Sequence, residues 1–367
     1  MKGYFRDSGK RRSNSGRRHR RREWLLRRSR KLVCRRRNAH NRSPKTLDTG
    51  PLTSGSVVTG YDGRVTIRLP ERLDFESCYE VTAAHFSLIG QCLKKGFRIR
   101  SLDFSSLKQI SPSAALVLVS LVDIWNVKVG GRLRAAHRTW HPEVKALLCQ
   151  MGYFELLGLP RPLEVPKGLT TNFLEFVRAQ VGSSQSGALA KKLRIDLERI
   201  IGQRLKRQFL FEGLSEAITN VGQHAYKTSK AGHRPYWWMS GSYDRAKRKL
   251  TVMFYDRGEG IPNTLPNSAF FELIRAYFYS WKDSEKIRAA MEIGKTSTGK
   301  QERGKGLQNF VEFARAHRTG KLSIYSLRGL HKMTWNNEDK SDDPSDTETI
   351  DYKHSICGTL IEWTVTI

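Results

Sequence analysis

Apolar residues recur at three- and four-residue steps along residues 211–226, and this spacing predicts a helix with one buried face. The apolar positions are Leu214, Ile218, Val221 and Ala225. Between them, Glu216, Asn220 and His224 lie four residues apart, so a helix places their side chains in one row. A carboxylate, an amide and an imidazole in such a row can serve as a base, a metal ligand and a phosphate contact. A solvated helix face has the same pattern, so this segment alone leaves both interpretations open.

The C-terminal half contains apolar runs that predict strands next to glycine-rich turns. The run over residues 249–256 ends at Asp256 and is followed by Gly258 and Gly260. A second run, over residues 235–244, precedes it across a basic turn. We therefore expect an antiparallel pair that carries Asp256 to the edge of a sheet. Glycines there let a backbone approach a bound group where a Cβ atom would collide.

Two more glycine motifs follow along the chain. Gly304 and Gly306 precede a helical pattern over residues 307–316, and N–H groups that converge at a helix start favour an anion. Near the end of the sequence, Gly358 and Thr359 open a last predicted strand. Each motif is common by itself, and the order of the four is the informative feature.

These residues together resemble the motifs of the GHKL-type, or Bergerat-fold, ATPases, which include gyrase, a heat-shock chaperone, histidine kinases and mismatch-repair proteins. The motifs are Glu-x-x-x-Asn, Asp-x-Gly-x-Gly, Gly-x-Gly-Leu and Gly-Thr, and the first is most similar to that of the anti-sigma-factor serine kinases. The resemblance implies ATP and Mg²⁺ as cofactors, with Glu216 as the catalytic base, Asn220 as the magnesium ligand and Asp256 as the anchor of adenine. The further ATP-binding positions that it implies are His224, Gly258, Gly260, Gly304, Gly306 and Thr359.

The N-terminal half alternates strand and helix patterns, which is typical of an α/β sheet. The predicted elements are a hairpin around Asp62–Gly63, a helix over 75–95, a strand over 97–107, a helix over 112–127, a strand over 132–137 and a helix over 143–153. Together they predict a small α/β domain in front of the glycine motifs.

Residues 102–123 are similar to the centre of STAS domains, as found in anti-sigma-factor antagonists. The resemblance makes Ser113 a possible phosphoacceptor. The chain departs from that family at Ser111, Pro112 and Ala114. Ser111 and Pro112 also have a simpler explanation, because serine is favoured as a helix N-cap and proline at the first helical position.

Charge separates one further segment from the rest. Of the net charge of +30, residues 1–47 carry +17, with 19 Lys and Arg against two acidic residues. Such dense like charge predicts disorder in isolation. It suits a nucleic-acid-binding arm that contacts phosphates without base specificity. An anionic membrane surface, an organelle transit peptide and an extension without function remain as alternatives.

Composition limits the class of protein. No apolar run reaches the roughly 18 residues of a membrane helix, so we predict no membrane span. The five cysteines are scattered and match no zinc or disulfide spacing, which favours a cytoplasmic protein.

The predicted fold class is α/β (α+β), in four segments. These are a disordered basic arm and linker over 1–54, a STAS-like α/β domain over 55–160, a linker over 161–187, and a GHKL-type ATP-binding domain, a two-layer α/β sandwich, over 188–367. An amphipathic helix near the start of the last segment either packs within the core or contacts a second copy in a homodimer.

The resemblance implies an ATP-binding regulatory protein, either a slow ATPase or a serine kinase, that controls a protein partner. One alternative is a non-catalytic interaction module in which nucleotide closes a mobile lid over residues 263–303 and so sets partner binding. Another is a nucleic-acid-binding effector that acts through residues 1–47.

Overall fold

The computed structural model of the chain describes residues 55–95, 98–130, 132–133, 135–161, 170–205, 207–226, 235–264, 281–296, 306–317, 319–336 and 343–367. Every described residue belongs to one compact unit, residues 48–367. The predicted basic arm, its nucleic-acid contact and much of the predicted lid lie outside the described residues.

The fold mixes helices and strands, which confirms the predicted α+β class. The described helices are α1 (Tyr79–Lys95), α2 (Pro112–Val129), α3 (Pro142–Gln150), α4 (Tyr153–Leu157), α5 (Ser186–Ile201), α6 (Arg207–Asn220), α7 (Ile261–Thr264), α8 (Asp283–Thr296) and α9 (Gly306–Arg315). A 3₁₀ turn covers His137–Thr139, and a π-helical turn over Val221–Ala225 directly follows α6.

Two sheets hold most of the strands. The described strands are β1 (Val57–Thr59), β2 (Val65–Arg68), β3 (Arg72–Leu73), β4 (Ile99–Asp103), β5 (Gln109–Ile110), β6 (Thr171–Phe173), β7 (Val177–Gln180), β8 (Tyr236–Asp244), β9 (Lys249–Asp256), β10 (Thr319–Ser326), β11 (Gly329–Asn336), β12 (Asp346–Asp351) and β13 (Thr359–Thr366). The larger sheet has the order β12-β11-β10-β13-β9-β8-β6, with β7 also paired to β8, and all of its pairings are antiparallel.

The predicted linker over 161–187 contains two strands of the large sheet. Its second part supplies β6 and β7, which lie along the edge of β8, so the large sheet begins before residue 188. The predicted strand over 132–137 is wrong for the described residues there, because a 3₁₀ turn begins at His137 and no strand is assigned. The mostly polar and acidic residues 346–351 form β12, which pairs with β11.

One face of the large sheet packs against helices of the C-terminal half. Strand residues Leu250, Val252 and Phe254 share a buried cluster with Leu214 of α6 and Phe310 of α9. Buried residues of α5 belong to the same cluster, so its apolar face lies in the core, as the intramolecular alternative predicts.

The other face is covered by the N-terminal half, where α2 contacts β8 and β9. This helix begins at Ser111, whose Oγ accepts the N–H of Ala114 at 3.3 Å, and ends at Gly130 in the left-handed conformation. Among the described residues, α2 alone is long and apolar enough to cross a membrane, and 67% of it is buried inside the protein, as in a core helix.

Candidate functional site

Asp256 ends β9 on the helix-covered side of the sheet and is only 4% exposed. Its Oδ1 accepts the N–H of Gly258 at 2.7 Å, and the described residues provide no cation for it. Burial raises its pKa to about 7, against a small opposing effect of that hydrogen bond. A buried carboxylate with spare acceptor capacity is the strongest sign of a site in the described residues.

The predicted polar row lies at the end of α6. Glu216 is half-buried, and the Asn220 side-chain amide donates a hydrogen bond to its carboxylate. Burial raises the pKa of Glu216, and the Asn220 hydrogen bond opposes this shift. His224 is exposed and lies in the π-helical turn rather than in a continuous α-helix. The row is therefore intact between Glu216 and Asn220, and the helix changes its geometry before His224.

The π-helical turn meets the loop after Asp256. The N–H of Glu259 donates to the Ala225 carbonyl at 2.8 Å. A Cβ atom at Gly258 would lie 2.5 Å from the Ala225 Cβ, so only glycine fits there. Gly260 continues the loop, and its carbonyl accepts the N–H of Asn263 at 3.1 Å. The first two predicted motifs thus come together through backbone contacts.

Tyr226 connects the same two segments, and sequence reasoning missed it. Its hydroxyl accepts the N–H of Arg257 at 3.0 Å and donates to the Tyr236 carbonyl at 3.0 Å. Tyr226 is the last residue of the predicted helix over 211–226, but only the fold shows what it contacts.

The last motif adjoins Asp256 across the sheet. Thr359 is buried and pairs in register with Asp256 between β13 and β9. Its hydroxyl is 2.9 Å from the Ser326 hydroxyl, whose oxygen also accepts the N–H of Ile261 at 2.9 Å. Gly358 has φ of 140°, and a Cβ there would lie 2.8 Å from the Arg257 Cα. Ser326 is a second residue that sequence reasoning missed.

Helix α9 points its N-terminus toward this end of the sheet. Ala314, near its C-terminus, lies against Gly320, which pairs across from Val365 late in β13. One helical turn earlier, the Phe310 carbonyl accepts the Trp363 indole N–H at 2.8 Å. The helix therefore runs parallel to β13, and Gly306 at its start lies toward the Thr359 end. Gly304 lies outside the described residues.

Ser113 lies elsewhere, on the outer face of the sheet, and is only 3% exposed. Its Oγ is 3.2 Å from the Ser111 Oγ. Because Asp256 lies on the opposite face, the fold does not bring the serine to the candidate site. Its burial argues against the predicted phosphoacceptor role.

The N-terminal half nevertheless contacts residues 352–354, shortly before the last motif. The Tyr79 and Tyr352 rings stack with centroids 3.6 Å apart. Glu80 lies 2.7 Å from His354 Nδ1 and accepts the N–H of Lys353 at 2.7 Å. These contacts hold the segment that leads directly into Gly358 and Thr359.

Comparison with known proteins adds no relative. No protein-family model matches the chain, and no curated protein matches it significantly.

Proposed function

We propose that this chain is an ATP-binding regulatory protein of the GHKL type, located in the cytoplasm, with slow ATPase or serine-kinase-like activity that controls a protein partner. The observation that carries the proposal is the convergence at Asp256. A buried carboxylate, a glycine that no side chain can replace, Thr359 and the end of α6 all adjoin one another there.

The residues present suit an adenine nucleotide with magnesium. Asp256 uses one acceptor position for Gly258 and keeps others for an exocyclic amine. The first N–H groups of α9 have no acceptors within the helix and favour phosphate. Asn220 donates through its nitrogen to Glu216, which leaves its amide oxygen for Mg²⁺. Bound Mg-ATP would supply a transferable γ-phosphoryl group with its charge partly neutralised.

Glu216 is the proposed general base. Partial burial raises its pKa, which makes its carboxylate a better proton acceptor than a solvated glutamate. The Asn220 amide fixes its orientation. Glu216 would take a proton from a water molecule in an ATPase or from a partner's serine hydroxyl in a kinase.

Isothermal titration calorimetry with Mg-ATP tests the proposed nucleotide site. We expect saturable binding that Asp256→Ala weakens by about 10- to 100-fold, as for the loss of a hydrogen bond to a charged group. Asp346→Ala, at an exposed position of β12, is the matched control and should bind like the wild type. Failure of the wild-type chain to bind Mg-ATP would end the proposal.

A non-catalytic, nucleotide-gated interaction module is the second candidate. The contacts of Tyr79 and Glu80 with residues 352–354 favour it, because they connect the N-terminal half to the strand that carries Thr359. Glu216→Gln separates the two candidates. It should abolish phosphate release or transfer and spare ATP binding, whereas unchanged function in this variant would favour the module.

A further inference from the structure

A cavity of about 280 Å³ lies between the N-terminal half and the outer face of the large sheet. The start of α2 and the turn after β3 form one wall, and β8, β9, β10 and β13 form the other. Thr251 of β9 faces this cavity, and the alternation of side chains along the strand puts Asp256 on the opposite face. The cavity is thus separate from the nucleotide site and independent of the proposed function.

Two nearly buried residues of the cavity wall carry hydroxyl groups. Ser242 is 2% exposed and Tyr325 is 4% exposed. Neither hydroxyl has a hydrogen-bond partner among the described residues. Burial raises the pKa of Tyr325, and the carboxylate of Glu362, in the same wall, adds to this effect. Both hydroxyls are open to the cavity, so each is free to form a hydrogen bond with a molecule that enters it.

Three cations line the cavity, and one of them, Lys249, helps to lower the pKa of Glu76 in the same lining. The three are Arg72, Lys247 and Lys249, and none forms an ion pair with a carboxylate of the described residues. Their positive charge is available to a molecule that enters the cavity.

The wall also contains four carboxylates, and three of them have partners within the protein. Asp74 Oδ1 accepts the N–H of Glu76 at 2.7 Å, and Asp244 Oδ1 accepts the N–H of Ala246 at 3.0 Å. Glu76 forms an ion pair with Lys321 at 2.7 Å. Glu362, the fourth, has no ion pair within the described residues, so it can accept hydrogen bonds from hydroxyl groups of a ligand, whereas the cations and the start of α2 suit an anionic group.

The N-terminus of α2 completes the wall. This helix has 18 residues, and both Ser111 and Ser113 line the cavity at its start. The Ser111 side chain satisfies the N–H of Ala114, while the N–H of Ser113 belongs to the first turn and has no acceptor within the helix. The positive end of the helix dipole adds to the preference for an anion.

We propose that this cavity binds a small hydroxylated metabolite that carries a phosphate or carboxylate group, and that the ligand joins the N-terminal half to the sheet. Lys249 and the start of α2 contact its anionic group, and the hydroxyls of Ser242 and Tyr325 contact its polar body. The volume lies just below that of typical small-molecule pockets, which suits a ligand of metabolite size.

Calorimetric titration of the full chain with ribose 5-phosphate, citrate and uncharged ribose tests the proposal. All titrations are repeated in Asp256→Ala, so that binding at the nucleotide site is recognised by its loss. We expect at least one of the two anions to bind with a dissociation constant below about 1 mM in both backgrounds, and ribose to bind far more weakly. Binding of ribose 5-phosphate alone identifies a phosphate ligand, and binding of citrate alone identifies a carboxylate.

Two variants locate the binding. Lys249→Met should weaken it by about 10-fold or more, and Ser242→Leu should block it by filling the cavity. Lys191→Met, at an exposed position of α5, is the control and should change nothing. Circular dichroism checks folding, and Lys249→Met decides the matter if Ser242→Leu does not fold. The proposal is overturned if neither anion binds, if ribose binds equally well, or if Lys249→Met leaves anion binding unchanged.

Discussion

Two aspartates on opposite faces of the large sheet are equally buried and differently satisfied. Asp123 of α2, on the outer face, is 5% exposed, and Asp256, on the helix-covered face, is 4% exposed. The Asp123 carboxylate accepts a hydrogen bond from Arg178 Nη1 at 2.6 Å, which is also an ion pair, and one from the Trp238 indole N–H at 2.9 Å. Asp256 receives one backbone N–H. Burial alone therefore does not show whether the protein satisfies a carboxylate, whereas the count of its partners does.

The largest expected effect concerns the pH dependence at Asp256. With a folded pKa of about 7, the native state keeps a proton that the unfolded chain loses near pH 4. Stability therefore falls as pH rises through this window, by up to about 4 kcal/mol. Asp256→Asn should remove this fall. Urea unfolding of both proteins between pH 4 and 8 measures the difference, and identical pH profiles would contradict the burial argument.

Asp123→Ala should destabilise the protein near pH 7, in contrast to Asp256→Asn. It removes the acceptor of both Arg178 and Trp238, so we expect a loss of about 3 kcal/mol in the free energy of unfolding near pH 7. The control is Asp346→Ala, at an exposed strand position, for which we expect less than about 0.5 kcal/mol. A small loss in Asp123→Ala would remove the contrast between the two carboxylates.

Gly258→Ala tests how tightly the Asp256 loop packs on the π-helical turn. The added methyl group meets Ala225, and we expect a loss of about 2 kcal/mol in stability together with weaker ATP binding. Gly187→Ala, in α5, has open space around its added Cβ and should stabilise the protein by up to about 1 kcal/mol. Thermal unfolding with and without Mg-ATP compares the two, and equal effects would mean that the loop is not constrained.

Glu80→Gln has the smallest expected effect on stability. The Glu80–His354 pair is partly exposed, so its loss should cost less than about 1 kcal/mol. If the contacts of the N-terminal half with residues 352–354 influence the proposed nucleotide site, the same variant should still change ATP affinity by a few-fold. Calorimetry gives both numbers for one protein sample, and unchanged affinity would show that the N-terminal half covers the sheet without influencing the site.

Local patterns predicted the elements that carry the candidate site. The apolar run over residues 249–256 predicted β9 and put Asp256 at its end, and the helical pattern after Gly306 predicted α9. These signals need only neighbouring residues in the sequence. The contact of Ala225 with Gly258 follows from where those elements pack.

Nonlocal pairing explains what the sequence could not predict. The segments β6 and β7 are too short to show a strand pattern, and they are strands because β8 offers its edge. The six residues of β12 are mostly polar and acidic, and β11 orders them. The π-helical turn at Val221–Ala225 has no sequence signal, because an α-helical continuation fits the same apolar spacing. The burial of Ser113 required the knowledge that α2 packs on the sheet.

The pairing of β6 and β7 with β8 has a practical consequence for anyone who shortens the protein. A fragment that starts at residue 188 lacks both strands and leaves one side of β8 open. That strand carries Trp237 and Trp238, and an open apolar strand edge pairs readily with other chains. Such a fragment is expected to aggregate, whereas one that keeps residues 170–187 retains its edge protection.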